Sequence, residues 1–288
     1  MNANRWEMQH FMTSDGLNLA YVVDDYTDRW KPSDTVILVH AAMGSSRRFY
    51  AWVPHLARDF RVVRLDMRGH GESQIPGPEQ LSSRDLVRDV VELADHLGCA
   101  TFHIAGSSAG AVVSQKVAID HPDRVATLAV FAAAPGIKHG NQDHAQWVAR
   151  IGERGVAAFL RETIADRMDT RSVEPGFIDW FINESARTSV ELLARFVPMM
   201  RGFDVMDEIS RIACPTLAVV PGADPIHRVD QYRVLADKIK DCEFMVYEGL
   251  PHNITDSVPD RCAQDLKKFL LKHRRNQWMD RVGRVSSP

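Results

Sequence analysis

The chain alternates two kinds of segment. Residues 35–39 are a β-branched run that is apolar throughout, which suits a strand of a parallel sheet covered on both sides; 61–65 and the apolar run 125–131 read as further strands. Between them the apolar positions recur at helical spacing. Residues 47–58 form one such stretch. A second, capped by Ser82 or Ser83, carries Val87, Val90, Val91, Ala94 and Leu97 on one face before Gly98 stops it. Upstream, residues 9–13 and 18–23 read as two antiparallel strands about an Asp15-Gly16 turn. Strands alternating with helices in this order predict an α/β fold, a mostly parallel central sheet flanked by helices through right-handed crossovers.

The rhythm breaks at Pro135-Gly136. From there to Gly202 only amphipathic helical stretches occur, around 147–151, 156–164, 175–186 and 190–200. Alternation then resumes with a strand at 215–220, a helix at 229–239, a strand at 243–247 and a last helix at 259–273. The pattern predicts a core of residues 1–137 and 204–288 with a helical cap, residues 138–203, inserted into it. The tail from Arg274 to Pro288 is polar and without a clear period.

Composition narrows the class without naming a chemistry. With 45% hydrophobic and 25% charged residues over 288 positions, the chain can bury a substantial core without metals or disulfides. A formal net charge of −3 leaves no basic face for nucleic acid. No apolar run approaches the roughly 20 residues of a membrane span, and the N-terminus has no signal-peptide core. Cys99, Cys214, Cys242 and Cys262 are scattered with no Cys-x-x-Cys pair, so they read as reduced packing residues of a cytoplasmic protein. No metal or cofactor is expected. The expected partner is a small-molecule substrate, and the expected assembly a monomer or homodimer.

The chemistry centres on Phe102-His-Ile-Ala-Gly106-Ser-Ser108-Ala-Gly110. An apolar run leading into Gly-x-Ser-x-Gly, with an Ala- and Val-rich helical pattern immediately after, is the strand, sharp turn and helix of a nucleophile elbow. The frame selects Ser108 and leaves Ser107 out of phase. Glycines are required because strand and helix pass too close for a Cβ, and the serine is pushed toward positive φ.

A serine hydroxyl needs a base to take its proton as it attacks, and in this architecture reactive groups gather at the carboxyl ends of strands. His252, in the Gly249-Leu-Pro-His loop after the last strand, meets that condition. His40 and His70 also lie on strand-end loops, where bonding to backbone is the more natural role, and His103, His121, His139 and His144 have no comparable placement. Asp224 leaves the preceding strand on a glycine turn and is the expected orienting acid. The end of the strand before it has no carboxylate, and Asp230 lies too far into a helix. The oxyanion requires preorganised backbone donors: the N–H of Ala109, and that of Ala42 (with Met43 as the alternative) in the loop after residues 35–39. Met43, Trp147, Phe177, Trp180, Met199 and Phe203 are candidates to line the substrate pocket, although aromatic and Met residues at helical spacing equally form plain core.

Together, Val39-His-Ala-Ala-Met-Gly44, Asp66-Met-Arg-Gly-His-Gly-Glu-Ser73, Gly106-Ser-Ser-Ala-Gly110, the Asp224 loop and Pro251-His252 resemble the α/β-hydrolase superfamily, and within it small capped serine hydrolases of the 3-oxoadipate enol-lactonase-like group. The resemblance covers most of residues 30 to 275. It implies the α/β-hydrolase fold with an inserted cap, and the triad order Ser108, Asp224, His252. Two departures stand out: His40-Ala41 replaces the usual His-Gly, and Asn253 stands where carbon–carbon hydrolases often carry Trp. A serine at 108 argues against epoxide hydrolases and haloalkane dehalogenases, which use aspartate. The expected activity is hydrolysis of a small, largely apolar carboxylic ester or lactone through an acyl-enzyme. Alternatives on the same frame are carbon–carbon or amide hydrolysis, or a slow-turnover, receptor-like ligand binder.

Overall fold

The structure is a computed structural model that describes residues 7–138 and 143–274. The expectations for the far N-terminus, for His139 and for most of the tail lie outside the described residues.

Eight strands form one sheet in the order β1-β2-β4-β3-β5-β6-β7-β8. β1 (Met8–Met12) and β2 (Asn18–Asp24) make the antiparallel hairpin about Gly16, whose φ is 80°. The other six run parallel: β3 (Thr35–Val39), β4 (Arg61–Leu65), β5 (Phe102–Ser107), β6 (Val125–Phe131), β7 (Thr216–Pro221) and β8 (Cys242–Tyr247). The unbroken apolar run of β3 is explained by what covers it. In β3, Ile37 and Val39 enter one core cluster and Val36 and Leu38 enter the other, on the opposite face. Both faces are dry, so neither set of positions can be polar.

Helices α2 (Ser83–His96), α3 (Ala109–Asp120) and α7 (Val229–Lys238) connect the strands, and α9 (Pro259–Lys272) closes the domain. Ser82 is the N-cap of α2, with a reciprocal capping box to Asp85. The helix expected over 47–58 is broken. A 3-10 turn, Ser46–Phe49, is followed by a four-residue helix, α1 (Val53–Leu56). Pro54 has no N–H to extend a continuous ladder through this point, so the run splits. A short helix, α8 (Ile254–Ser257), was not expected from the pattern.

Between β6 and β7 the described residues contain no strand but three longer helices, α4 (His144–Glu162), α5 (Pro175–Ser185) and α6 (Val190–Gly202). Gly155, at φ 79° and ψ 163°, breaks α4 internally, which is why two helical stretches were read there. The three helices share their own apolar cluster, including Ile151, Phe159, Phe181 and Val197, and the core contributes Met43 to it. At the root of this insertion, Gly136 bridges Asp204, and the Val205 N–H donates to the Pro135 carbonyl at 2.8 Å. Among the described residues no helix is long and apolar enough to cross a membrane.

The loop after β4 is held by buried charge. Arg68 is fully buried, donates through Nε to Asp89 at 2.7 Å and through Nη2 to the other Asp89 oxygen, and reaches Asp15 at 3.0 Å. Gly71 is required here. A Cβ would lie 2.1 Å from the Asp66 carboxylate, which accepts the backbone N–H groups of Ser46 and Glu72. Arg68→Met is therefore expected to lower the unfolding free energy by about 3–5 kcal/mol, because Asp89 is left buried and unpaired. Arg187→Met, which breaks an exposed pair with Glu72, should change it by less than about 1 kcal/mol. Urea unfolding of the two variants measures the contrast.

Candidate active site

The strand ends are level. Val39 lies beside Gly106, Ser107 beside Phe131, Phe131 beside Val219, and Pro221 beside Tyr247. Every loop leaving the parallel strands therefore emerges at one edge, and residues far apart in sequence become neighbours.

Ser108 sits at the turn between β5 and α3 with φ 50° and ψ −116°. This conformation is rare outside glycine and stores strain. The bracketing glycines have no alternative: a Cβ on Gly106 would stand 2.4 Å from the Gly110 carbonyl, and one on Gly110 would stand 2.3 Å from that of Val39. Ser107, out of phase, points elsewhere and shares a hydrogen bond with the Thr255 hydroxyl at 2.9 Å.

His252 Nε2 lies 3.0 Å from Ser108 Oγ, and its Nδ1 lies 2.7 Å from Asp224 Oδ2. In the tautomer that satisfies both contacts, Nδ1–H donates to the carboxylate and Nε2 accepts from the serine. Asp224 has further donors. The Tyr232 hydroxyl donates to Oδ2, and the Ile226 N–H donates to Oδ1 at 2.7 Å. Burial alone would raise the Asp224 pKa, but attraction to His252 and these hydrogen bonds outweigh it and hold the carboxyl below its ordinary 3.8. Tyr232 was not foreseen in the sequence. It stands on α7 as one apolar position among others, and only the folded helix brings its hydroxyl to Asp224. Asp230 pairs with Arg228 on the surface.

Ala42 and Ala109 flank Ser108 in the same cavity. Among the described residues, the N–H groups of Ala42, Met43 and Ala109 have no acceptor in the protein. Unpaired backbone donors at a buried site are unusual, and all three residues line the cavity. His40 braces the first of these loops: its Nδ1–H donates to the Ala41 carbonyl at 2.8 Å, and its Nε2 accepts the Met67 N–H at 3.0 Å. His70 donates from Nδ1 to the Arg68 carbonyl at 3.2 Å, beside His40. Both imidazoles are neutral scaffold groups.

Burial drives the His40 pKa to about 4 and that of His70 to about 3. The unfolded chain takes up these protons below pH 6.5 and the folded one does not. Stability present above 6.5 is therefore lost as the pH falls toward those values, by up to about 1.4 kcal/mol per pH unit for each histidine. His70→Phe should make the acid limb of a stability–pH curve shallower by that amount, whatever its absolute stability.

The cavity over Ser108 is mainly apolar, lined among others by Val112, Ile137, Ile151, Phe196, Val197 and Met200. Of the residues expected to line it, Met43 and Trp147 do so. Phe177, Trp180, Met199 and Phe203 do not. Phe177 and Trp180 pack within the helical insertion, with Trp180 also against Tyr50. Met199 and Phe203 pack into the core cluster under α6. The rotation of α5 and α6 turns Phe181 and Met200 inward instead. His144 and His227 also reach the cavity. His227 is buried, with Nδ1 unpartnered among the described residues and its pKa lowered by burial to about 4. Among the described residues no cluster of His, Cys, Asp or Glu could hold a metal ion.

Several known proteins are similar to this chain in sequence and fold. The chain is 24% identical over 256 residues to the putative carbamate hydrolase RutD of a Caulobacter species, a match spanning 81% of this chain and 90% of that protein. A hydrolase of Pseudomonas aeruginosa superposes with a TM-score of 0.80 at 26% identity, covering 93% of this chain and 99% of that one. The enol-lactonase of Burkholderia xenovorans LB400 superposes with a TM-score of 0.81 at 22% identity, covering 91% and 100%. A family model described as the α/β hydrolase fold matches residues 34–177. With half its length matched and its sheet, crossovers and nucleophile elbow in place, the chain belongs to the α/β-hydrolase superfamily.

Proposed function

We propose that the protein is a serine hydrolase that cleaves a carboxylic ester or lactone of a small substrate through an acyl-enzyme. The observation that carries this reading is the unbroken relay from Ser108 Oγ through His252 to Asp224, at 3.0 and 2.7 Å, opening into a mainly apolar cavity. Ser108 Oγ attacks the carbonyl carbon while His252 Nε2 takes its proton. Asp224 orients the imidazole and stabilises its charged form without being protonated. The Ala42 and Ala109 N–H groups receive the oxyanion, with the positive end of α3 adding to the field. Collapse breaks the ester bond, and the leaving alcohol takes the proton from His252. Water, deprotonated by the same imidazole, then releases the acid and regenerates the serine.

Residues 138–203 act as a cap on a core of 1–137 and 204–288. The support is the separate apolar cluster of α4 to α6, the Gly136–Asp204 bridge at its root, and the cap side chains over Ser108. The relative named for carbamate hydrolysis favours a second reading on the same triad, in which the acyl group is a carbamoyl group. Turnover of a panel of esters, lactones and carbamates, together with labelling of Ser108 by a fluorophosphonate, tests both. Absence of labelling and of all turnover would overturn them together.

A further inference from the structure

The cavity has a second lobe, which meets the apolar one at Ser108 and His252 and is walled by Arg48, Arg167, Phe181, Ser185 and Asn253. Its charges do not balance. Arg48 is neutralised by Asp256, with Nε donating to Oδ1 at 2.6 Å and Nη2 to Oδ2. Asp256 Oδ2 also accepts from Asn253 Nδ2 at 3.3 Å and from the Thr255 hydroxyl at 3.2 Å, so that carboxylate is engaged on every side. Arg167 is different. It is 5% exposed, and among the described residues its guanidinium has no carboxylate within 4 Å and no hydrogen-bond acceptor.

The guanidinium lies against an edge-to-face pair of rings, with the centroids of Trp147 and Phe159 at 5.5 and 5.3 Å from its carbon and 5.9 Å from each other. The rings attract the cation without giving a carboxylate or carbonyl acceptor to its five N–H groups. Burial pulls its pKa down to about 10, with attraction from Asp166 and repulsion from Arg48 as smaller effects, so it remains charged at neutral pH. The Ser185 hydroxyl in the same lobe is also buried without a partner. A largely buried charge with no carboxylate partner among the described residues, lining the same lobe as an unpaired hydroxyl, is costly to the empty protein, and a ligand that completes both would offset the cost.

We propose that Arg167 and Ser185 form a subsite for the carboxylate of an anionic acyl substrate, which makes half-esters of dicarboxylic acids preferred over neutral esters. A carboxylate suits a planar guanidinium, since two parallel N–H groups can meet its two oxygens. A phosphate dianion fits less well, because the lobe offers one uncompensated positive charge. The subsite is tied to the catalytic loop: the Asn253 N–H, adjacent to His252, donates to the Arg167 carbonyl at 2.7 Å. An anion bound there lies at a set distance from the base. The proposal rests on the serine hydrolase reading for its turnover arm, but its binding arm stands apart.

The test uses p-nitrophenyl hemiglutarate and p-nitrophenyl valerate, which differ at the far end only in carboxylate against methyl. Wild-type protein should favour the hemiglutarate, and Arg167→Gln should lower the ratio of the two kcat/KM values by about 10- to 100-fold, with Arg167→Lys between them. Monomethyl glutarate should bind the Ser108→Ala protein in calorimetry, and binding should be lost in the Ser108→Ala/Arg167→Gln double variant. If valerate ester is cleaved while ratio and binding ignore Arg167, the anion subsite is wrong and the hydrolase reading survives. If binding depends on Arg167 but neither ester is cleaved, the subsite stands and the hydrolase reading falls. Arg167→Gln should melt no earlier than wild type. A large fall in Tm would mark the guanidinium as a packing group and overturn the subsite.

Discussion

Ser108→Ala is expected to lower kcat for ester hydrolysis by at least about 10,000-fold and to abolish fluorophosphonate labelling, with little change in melting temperature. Without Oγ no acyl-enzyme can form. The remaining rate comes from the oxyanion donors and from water activated directly by His252, which together leave a residue of catalysis well above the uncatalysed reaction. Stability should hardly move, because Ser108 is half-buried and its hydroxyl makes one hydrogen bond, worth about 1 kcal/mol. The strain at φ 50° persists, since alanine keeps the Cβ that makes it unfavourable. Ser108→Gly separates the two effects: it should be equally inactive yet more stable than Ser108→Ala, by about 1 kcal/mol, if the elbow is under strain. An alanine variant that keeps its rate would remove Ser108 from the mechanism.

What was readable in the sequence is what local chemistry dictates. The elbow follows from Gly106 and Gly110, where backbone approach leaves no room for a side chain, and the central strand β3 follows from a run that is apolar on both faces. Asp224 and His252 could be picked out because topology restricts reactive groups to strand ends, so position did the work of geometry. The helical insertion was less legible. α6 carries apolar side chains on more than one side, with Leu193 and Val197 in the cluster of the helical insertion and Leu192 and Phe196 in the core cluster. Period alone cannot say which stripe faces the substrate, because helix rotation is set by packing partners. The Arg48–Asp256 pair spans 208 positions, and the Tyr232 contact with Asp224 requires α7 to lie back on β7. Neither leaves a local trace.

Asp224→Asn should be nearly as damaging to kcat as removing the nucleophile, about 1,000- to 10,000-fold, with the fold intact. The hydrogen bonds around the carboxylate show why an isosteric amide fails. The Ile226 N–H is a fixed donor at the Oδ1 position, so the amide oxygen must settle there and the NH2 group takes the place of Oδ2. The Tyr232 hydroxyl can rotate to accept from it. His252 Nδ1 has to become an acceptor as well, which moves the imidazole proton to Nε2, the atom that must receive the proton of Ser108. The base is then present but in the wrong tautomer. Nitrogen chemical shifts of His252 read this directly: wild type should show the proton on Nδ1 and Asp224→Asn on Nε2, and an active variant with its proton still on Nδ1 would contradict the assignment. The acid limb of stability carries a second signature. Because the Asp224 pKa is depressed in the folded state, its contribution is full above the ordinary value of 3.8 and is lost as pH falls below it through the lowered one. The asparagine variant should lack that loss, so its stability should converge on that of wild type in strong acid.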